Sequence, residues 1–333
     1  MTKDDERRIL LLKNEGLSVK QIMCVMEFEK NVRNAHLSFT SKDIHNFFSK
    51  IRSEQAKNDV LYFFEYCKIA KEENQNFQYY VTLDDERKVE HIFWSPAHSF
   101  TWYQSFGDVV IFDTTYKINA YDMPLGIFVG IDNHGMTILF GCALLRNETK
   151  NIFSWLIRTF MSLMNKPPKS ILTDQDPWMT QAIVEEMPLT KHVFFIWHIT
   201  SKFSNFYSLF RLDTYDEFEN RCPEVVEKYK LEKNTHVLGL YNIRHSWVPT
   251  YLREHFFAGM TTTGRSKSFN AFMKRFTSSR ICLSQCTKQV DLAIEDIGQN
   301  QLHARMLEKY REVSLRTLSP LEDQAQKVLT SFS

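Results

Sequence analysis

The spacing of apolar positions changes twice along this chain, and the changes divide it. From residue 5 to about 70 the period is helical. The stretch "RRILLLKNEGLSVKQIMCVMEF" (7–28) gives two amphipathic pieces broken at Gly16, and "TSKDIHNFFSKI" (40–51) opens with a Thr or Ser cap. Its middle, "GLSVKQIMCVM", has the turn and apolar spacing of a helix-turn-helix, a pattern that ordinary three-helix packing produces at least as often.

From about residue 77 the period shifts toward two. "FQYYVTLD" (77–84) and "VEHIFWS" (89–95) predict strands, with "PAHSFTWYQSF" (96–106) as an aromatic-rich connector. "DVVIFDTTYKI" (108–118), "LGIFVGID" (125–132) and "TILFGCALL" (137–145) are three apolar strands, the last two joined by "DNHG", which suits a tight hairpin turn and assigns Asp132 to it. "NIFSWLIRTFMSLM" (151–164) is an amphipathic helix and "SILTD" (170–174) a short strand. A second helix follows, with Asp176 as cap and Pro177 at its first position, and then a fifth strand, "KHVFFIWHI" (191–199).

The order β-β-β-α-β-α-β joins an antiparallel half to a parallel half in one mixed sheet, the succession of an RNase H-like fold. After residue 200 the chain reads helical: "WVPTYLREHFFAGM" (247–260), "SKSFNAFMKRF" (266–276) and a long segment over 284–318. The expected architecture is α/β, an RNase H-like five-stranded sheet with helical additions at both ends. Its division is a helical region at 1–75, a core at 76–200, a helical insertion at 201–260, and C-terminal helices at 261–333 that complete the core.

Composition narrows the classes. The 43% hydrophobic and 24% charged residues are those of a folded globular protein, with phenylalanine frequent at 27 of 333. No apolar run approaches the roughly 18 to 20 residues of a bilayer span. The charged start "MTKDDERR" is not followed by a signal-peptide pattern, so the expectation is an intracellular protein with no membrane partner. Cys24, Cys67, Cys142, Cys222, Cys282 and Cys286 form no CxxC pair, which argues against a disulfide framework or a closed zinc site. Cys282 and Cys286, four apart on a helix, fit core packing. A net charge of +1 leaves no global basic footprint, so any DNA contact has to be local.

The candidate chemistry sits at strand ends, where functional groups collect in α/β sheets. Asp113 ends the first core strand and Asp174 ends the fourth, and in an RNase H-like sheet those strands are neighbours. Paired carboxylates of this kind hold Mg²⁺ or Mn²⁺ for two-metal phosphoryl transfer. Taken singly, each aspartate is more simply a turn-former or a helix cap. Glu185 and Glu186 belong to a solvated helix face, and His198 to packing.

Four segments together resemble the Mutator-like (MULE) transposase domain, and within it the plant FAR-RED IMPAIRED RESPONSE and FAR1-related-sequence proteins. They are "FDTTYKINAYDMPLGIFVGIDNHGMTILFGCALL" (112–145), "ILTDQDPWMTQAI" (171–183), "FFIWHI" (194–199) and "FAGMTTTGRSKSFNAF" (257–272). The resemblance spans roughly residues 10 to 300. It implies an RNase H-like core whose acids are Asp, Asp and a Glu on a late helix, and a protein domesticated into nuclear transcription regulation. The implied partners are DNA, transcription regulators, and homo- or hetero-oligomers with family members.

Carried over by position, Asp113 in "DTTY" matches the first acid and Asp174 in "TDQD" the second. The third belongs in a segment like "RSESxN", where this chain has Arg265, Ser266, Lys267, Ser268, Phe269 and Asn270. Of a usual Cys-x-x-His element only His198 is kept, with Phe195 in the cysteine's place. The resemblance also implies a zinc-binding DNA module before this region and a SWIM-type finger after it. No Cys-x-Cys…Cys-x-His pattern follows residue 287, and both a short family member and a portion of a longer protein stay open.

A lysine in the third place repels divalent cations and offers the two aspartates a counter-ion. The first expectation is therefore a vestigial site, Asp113, Asp174 and Lys267, with at most weak Mg²⁺ binding, no zinc site, and no nuclease activity. The competing expectation is an active enzyme in which Glu295, Glu254 or Glu217 replaces the missing acid. A third is a protein-interaction platform without DNA contact.

Overall fold

The computed structural model describes residues 1–32, 37–115, 123–195, 209, 212–257, 272, 282–310, 320 and 324, and the chain forms two compact units, Met1–Phe64 and Glu65–Ser333.

The first unit holds helices α1 (Lys3–Asn14) and α2 (Val19–Glu29) and most of α3 (Ser41–Glu73). Each start is fixed locally. Thr2 with Asp5, Ser18 with Gln21, and Thr40 with Asp43 exchange side-chain and backbone bonds in capping boxes. Gly16, at φ +85°, makes the turn between α1 and α2 in a region that favours glycine. Ile9, Ile22, Met26, Phe39, Ile44 and Phe48 form the core. Asp5 is buried beneath it and ion-paired with Lys30. Burial works to raise its pKa, but the bonds from Lys30 and Thr2 prevail and hold it down to about 2.

The second unit is built on one mixed sheet of β1 (Gln78–Leu83), β2 (Val89–Ser95), β3 (Val109–Thr115), β4 (Leu125–Ile131), β5 (Thr137–Leu144), β6 (Ser170–Thr173) and β7 (Lys191–Phe194). Their order is β1-β2-β5-β4-β3-β6-β7, antiparallel from β1 through β3 and parallel from β3 to β7. This corrects the expected count of five. Ile92–Trp94 pair with Leu144–Cys142, which adds the β1–β2 hairpin to the sheet. All seven residues of β4 are buried, as a central strand covered on both faces requires.

The "connector" at 96–106 is a second correction, because Ala97–Phe106 is a helix, α4. Pro96 suits the cap position, and Ser99 and Tyr103, one helical turn apart, are buried on the sheet. The Ser99 hydroxyl donates to the Leu139 carbonyl at 2.8 Å, and Tyr103 donates to Lys166 at 3.0 Å. Aromatic residues on every side of this short helix obscure its period in the sequence.

Helices α5 (Lys150–Met164) and α6 (Pro177–Glu186) provide the crossovers. Asp176 caps α6 by accepting from the Met179 amide at 2.8 Å, with Pro177 in the first turn. Glu185 and Glu186 are more than a solvated face, since they pair with Lys150 and Arg158 and tie α6 to α5. Asp132 makes the hairpin turn by accepting from the amides of His134 and Met136.

Helices α7 (Tyr215–Lys228) and α8 (Thr235–Asn242) and a short helical turn at Pro249–Leu252 gather around Phe218, Leu240 and the fully buried Trp247, with Phe194 of β7 in the same cluster. Among the described residues of "WVPTYLREHFFAGM" the helix is confined to that turn, which Pro249 starts and Arg253 caps. Helix α9 (Leu283–Tyr310) packs on β5, and its Gln301 donates to Asp132 at 3.0 Å. The segment at 266–276 lies outside the described residues apart from Phe272, as does most of the region beyond Tyr310.

Candidate functional site

β3 and β6 run side by side in parallel, with Val109 level with Ser170 and Ile111 level with Leu172. Carrying that register two residues onward sets Asp113 level with Asp174, which directly follows β6. β5 points the same way as β3, because both are antiparallel to β4. The loop that leaves β5 therefore opens at the sheet end where β3 and β6 finish.

That loop carries Glu148, a residue the sequence motifs do not single out. Its carboxylate accepts a hydrogen bond from the Thr114 side chain, next to Asp113, and lies within the fields of Asp176 and Asp174. Burial is the main cause of a raised Glu148 pKa; the Thr114 bond opposes the rise, and the two aspartates add to it. The sheet end thus holds more acid than the two-aspartate motif predicts.

Alternation along β3 sorts these groups by face. Phe112 stacks on Phe128 at 4.4 Å and Phe128 on Phe160 of α5 at 4.2 Å, so Phe112 and Thr114 belong to the α5 face. Asp113 lies in the other row, opposite Ile127, which is opposite Cys142. Cys142 senses the thiol of Cys286 on α9, which identifies this as the α9 face.

Behind Asp174 the backbone is held by a relay. The Thr173 hydroxyl donates to the Asp174 carbonyl at 2.8 Å and lies 2.7 Å from His192 Nε2. With its one proton committed to the carbonyl, the hydroxyl accepts from the N–H at His192 Nε2. Burial pushes the His192 pKa down to about 4, so at neutral pH the ring is uncharged and carries its proton on Nε2.

The remaining predicted positions fall elsewhere or outside view. Lys267 and His198 lie outside the described residues; Phe195 is buried at the end of β7. Glu217 is taken up at the start of α7, where it accepts from the Asp213 amide at 3.0 Å. Glu254 is exposed after the Pro249–Leu252 turn, and Glu295 is on α9 close to Asp291. Among the described residues, no three His, Cys, Asp or Glu side chains are disposed to hold a metal ion. All six cysteines are free thiols, with Cys282 and Cys286 both buried in packing.

Two family models match this chain: the FAR1 HTH-like domain over residues 1–55 and the MULE transposase domain over residues 109–202. Protein FAR1-RELATED SEQUENCE 11 of Arabidopsis thaliana is 39% identical over 99% of this chain and 51% of its own length. FAR1-RELATED SEQUENCE 10 from the same plant is 35% identical over 99% of this chain and 52% of its own. Protein FAR-RED IMPAIRED RESPONSE 1, also from Arabidopsis thaliana, is 34% identical over 83% and 35% respectively. The chain spans about half the length of the first two relatives.

Proposed function

A FAR1 HTH-like domain followed by a MULE transposase domain makes this chain FAR1-related, and from that premise we propose that it is a domesticated transposase without nuclease activity. It acts in the nucleus, in transcription regulation, through association with DNA or with other regulators. An RNase H-like reading of the core is supported by the order β5-β4-β3-β6-β7, in which β4 alone runs against the rest.

The observation that carries the inactive reading is Lys267 in "RSKSFN", where the resemblance implies the third acid. Asp113 and Asp174 supply hard oxygen ligands of the kind Mg²⁺ or Mn²⁺ takes, but a two-metal site needs its ligands placed to within a fraction of an ångström. An ammonium is a counter-ion for carboxylates and opposes divalent cations. The test is a nicking and strand-transfer assay with Mn²⁺ comparing the wild type with Asp113→Asn. The expected result is equal absence of product; activity lost with Asp113→Asn would overturn the proposal.

The enzyme reading keeps one supporting observation, the proximity of Glu148 to Asp174 and Asp176. Glu148 approaches through Thr114 on the α5 face, whereas Asp113 belongs to the α9 row. Including Glu148→Gln in the same assay decides this. DNA association and a pure protein platform separate in a salt series, because phosphate neutralisation makes the logarithm of the affinity fall linearly with log salt.

A further inference from the structure

We propose that His91 is an acid-sensitive latch on the loop that carries Glu148: the neutral ring holds the loop at the sheet end, and the protonated ring releases it. The inference rests on where Glu148 sits and is independent of whether the sheet end binds a metal ion or cuts DNA.

His91 belongs to β2 and is 5% exposed. Two contacts fix it. Its amide donates to the Thr82 hydroxyl of β1 at 3.0 Å, and its ring centre lies 5.4 Å from that of Trp155 on α5. The ring is therefore on the α5 face, the face on which Thr114 bonds Glu148. His91 Nδ1 accepts the Arg146 amide at 3.2 Å, which leaves the ring's one proton on Nε2.

Arg146 stands two residues before Glu148 in the loop that leaves β5. The loop is anchored as it leaves the sheet, where the Leu145 amide donates to the Pro124 carbonyl at 3.0 Å, and again at Thr149, the cap of α5. Between these anchors Arg146 is held through its amide by His91 and through its guanidinium by Asp84 at 3.1 Å. The Asp84 pair has its arginine half in solvent and contributes little, so the bond to the buried ring is the stronger hold.

Protonation undoes that hold. An imidazolium carries hydrogen on both nitrogens and accepts at neither, so the Arg146 amide loses its partner and meets a second donor. Among the groups facing the ring, Glu90 on its own strand favours the charged form, with its carboxylate 3.7 Å from Nε2. The Arg146 charge opposes it, and Thr82 and Trp155 carry none. Burial is the largest influence and keeps the ring neutral at pH 7, so the latch opens on the acid side of the ordinary histidine value of 6.5. Opening frees Arg146 to Glu148 and lets the Glu148 carboxylate leave Thr114, Asp174 and Asp176.

The experiment is hydrogen exchange of the full chain at pH 7 and pH 4.5, read at the Arg146 amide by fragmentation mass spectrometry and corrected for intrinsic exchange. In the wild type, protection at pH 7 is expected to fall about tenfold or more at pH 4.5. His91→Asn, whose Oδ1 takes the place of Nδ1 and does not titrate, keeps the protection at both. His91→Phe retains a ring against Trp155 without an acceptor and loses the protection at both. Glu148→Gln still shows the loss at pH 4.5, which separates the latch from titration of Glu148 itself. Equal protection of Arg146 in the wild type and His91→Phe at pH 7 overturns the proposal. So does a loss at pH 4.5 that survives in His91→Asn or disappears in Glu148→Gln. If the wild type unfolds at pH 4.5, or His91→Asn does not fold, the comparison of wild type with His91→Phe at pH 7 decides alone.

Discussion

Glu148 accepts a hydrogen bond from Thr114, and that bond ties the end of β3 to the loop that opens α5. The carboxylate makes it under opposition, since burial and the charges of Asp176 and Asp174 all favour its protonated form. A carboxyl group whose folded pKa lies above its unfolded value contributes stability below the unfolded pKa, and that stability is lost as pH rises through the folded value. Glu148→Gln, which can keep a Thr114 bond without a charge, is therefore expected to raise the melting temperature at pH 7 to 8 by about 1 to 3 °C. The gain should vanish near pH 4, and thermal melts at the two pH values check it. A loss at neutral pH would show that the Thr114 bond outweighs the repulsion.

Lys267→Glu restores the acid that the family resemblance implies. Changing the charge there by two units is expected to strengthen Mn²⁺ binding at least tenfold over the wild type, or about 1.4 kcal/mol. Isothermal titration of both proteins, with Asp174→Asn as control, measures it. Tight binding by the wild type that needs both Asp113 and Asp174 would contradict the vestigial-site reading.

His192 sets an acid limit on the parallel half of the sheet. Its folded pKa of about 4 is below the ordinary histidine value of 6.5, so its stability contribution is whole above pH 6.5 and is lost between 6.5 and 4. The loss is at most about 3 kcal/mol, from 1.36 kcal/mol per pKa unit. Denaturant unfolding at pH 7 and pH 4.5 should show a smaller difference in His192→Gln than in the wild type. An equal difference would remove His192 as the cause.

The thiols should separate by burial. Cys24 is exposed, whereas burial pushes Cys67 up to about 12, Cys222 up to about 11, and Cys142 well above its usual value. Since the thiolate is the reactive form, a thiol reagent at pH 8 is expected to modify one cysteine per chain quickly and five only on unfolding. Mass spectrometry of the labelled chain identifies which. Rapid loss of Cys282 or Cys286 would show that α9 opens readily.

The sequence makes some of this legible and hides the rest for physical reasons. β4, the first four residues of β3 and all of β5 after Thr137 are apolar and buried because they are covered on both faces, and DNHG and DP carry their own turn and cap chemistry, so strands and joints can be read directly. The joining of β2 to β5 is invisible in local period, because it depends on pairing between residues some fifty positions apart. α4 is hidden by its own aromatic content. Glu148 has no signal in the loop "RNETK"; only the topology, which brings the carboxyl end of β5 beside those of β3 and β6, shows where it sits. The motif-derived pair Asp113 and Asp174 is legible by resemblance, and the register of β3 and β6, carried two residues onward, sets the two level.

The alternation of β3 has a consequence for how such a domain can age. Phe112 ties the strand to α5 through Phe128, and Thr114 ties it to the loop before α5 through Glu148, while Asp113 lies in the other row. A change in the row of Asp113 leaves the α5 side undisturbed. The carboxylate and the aromatic stack lie on opposite sides of one strand, so the two can vary independently.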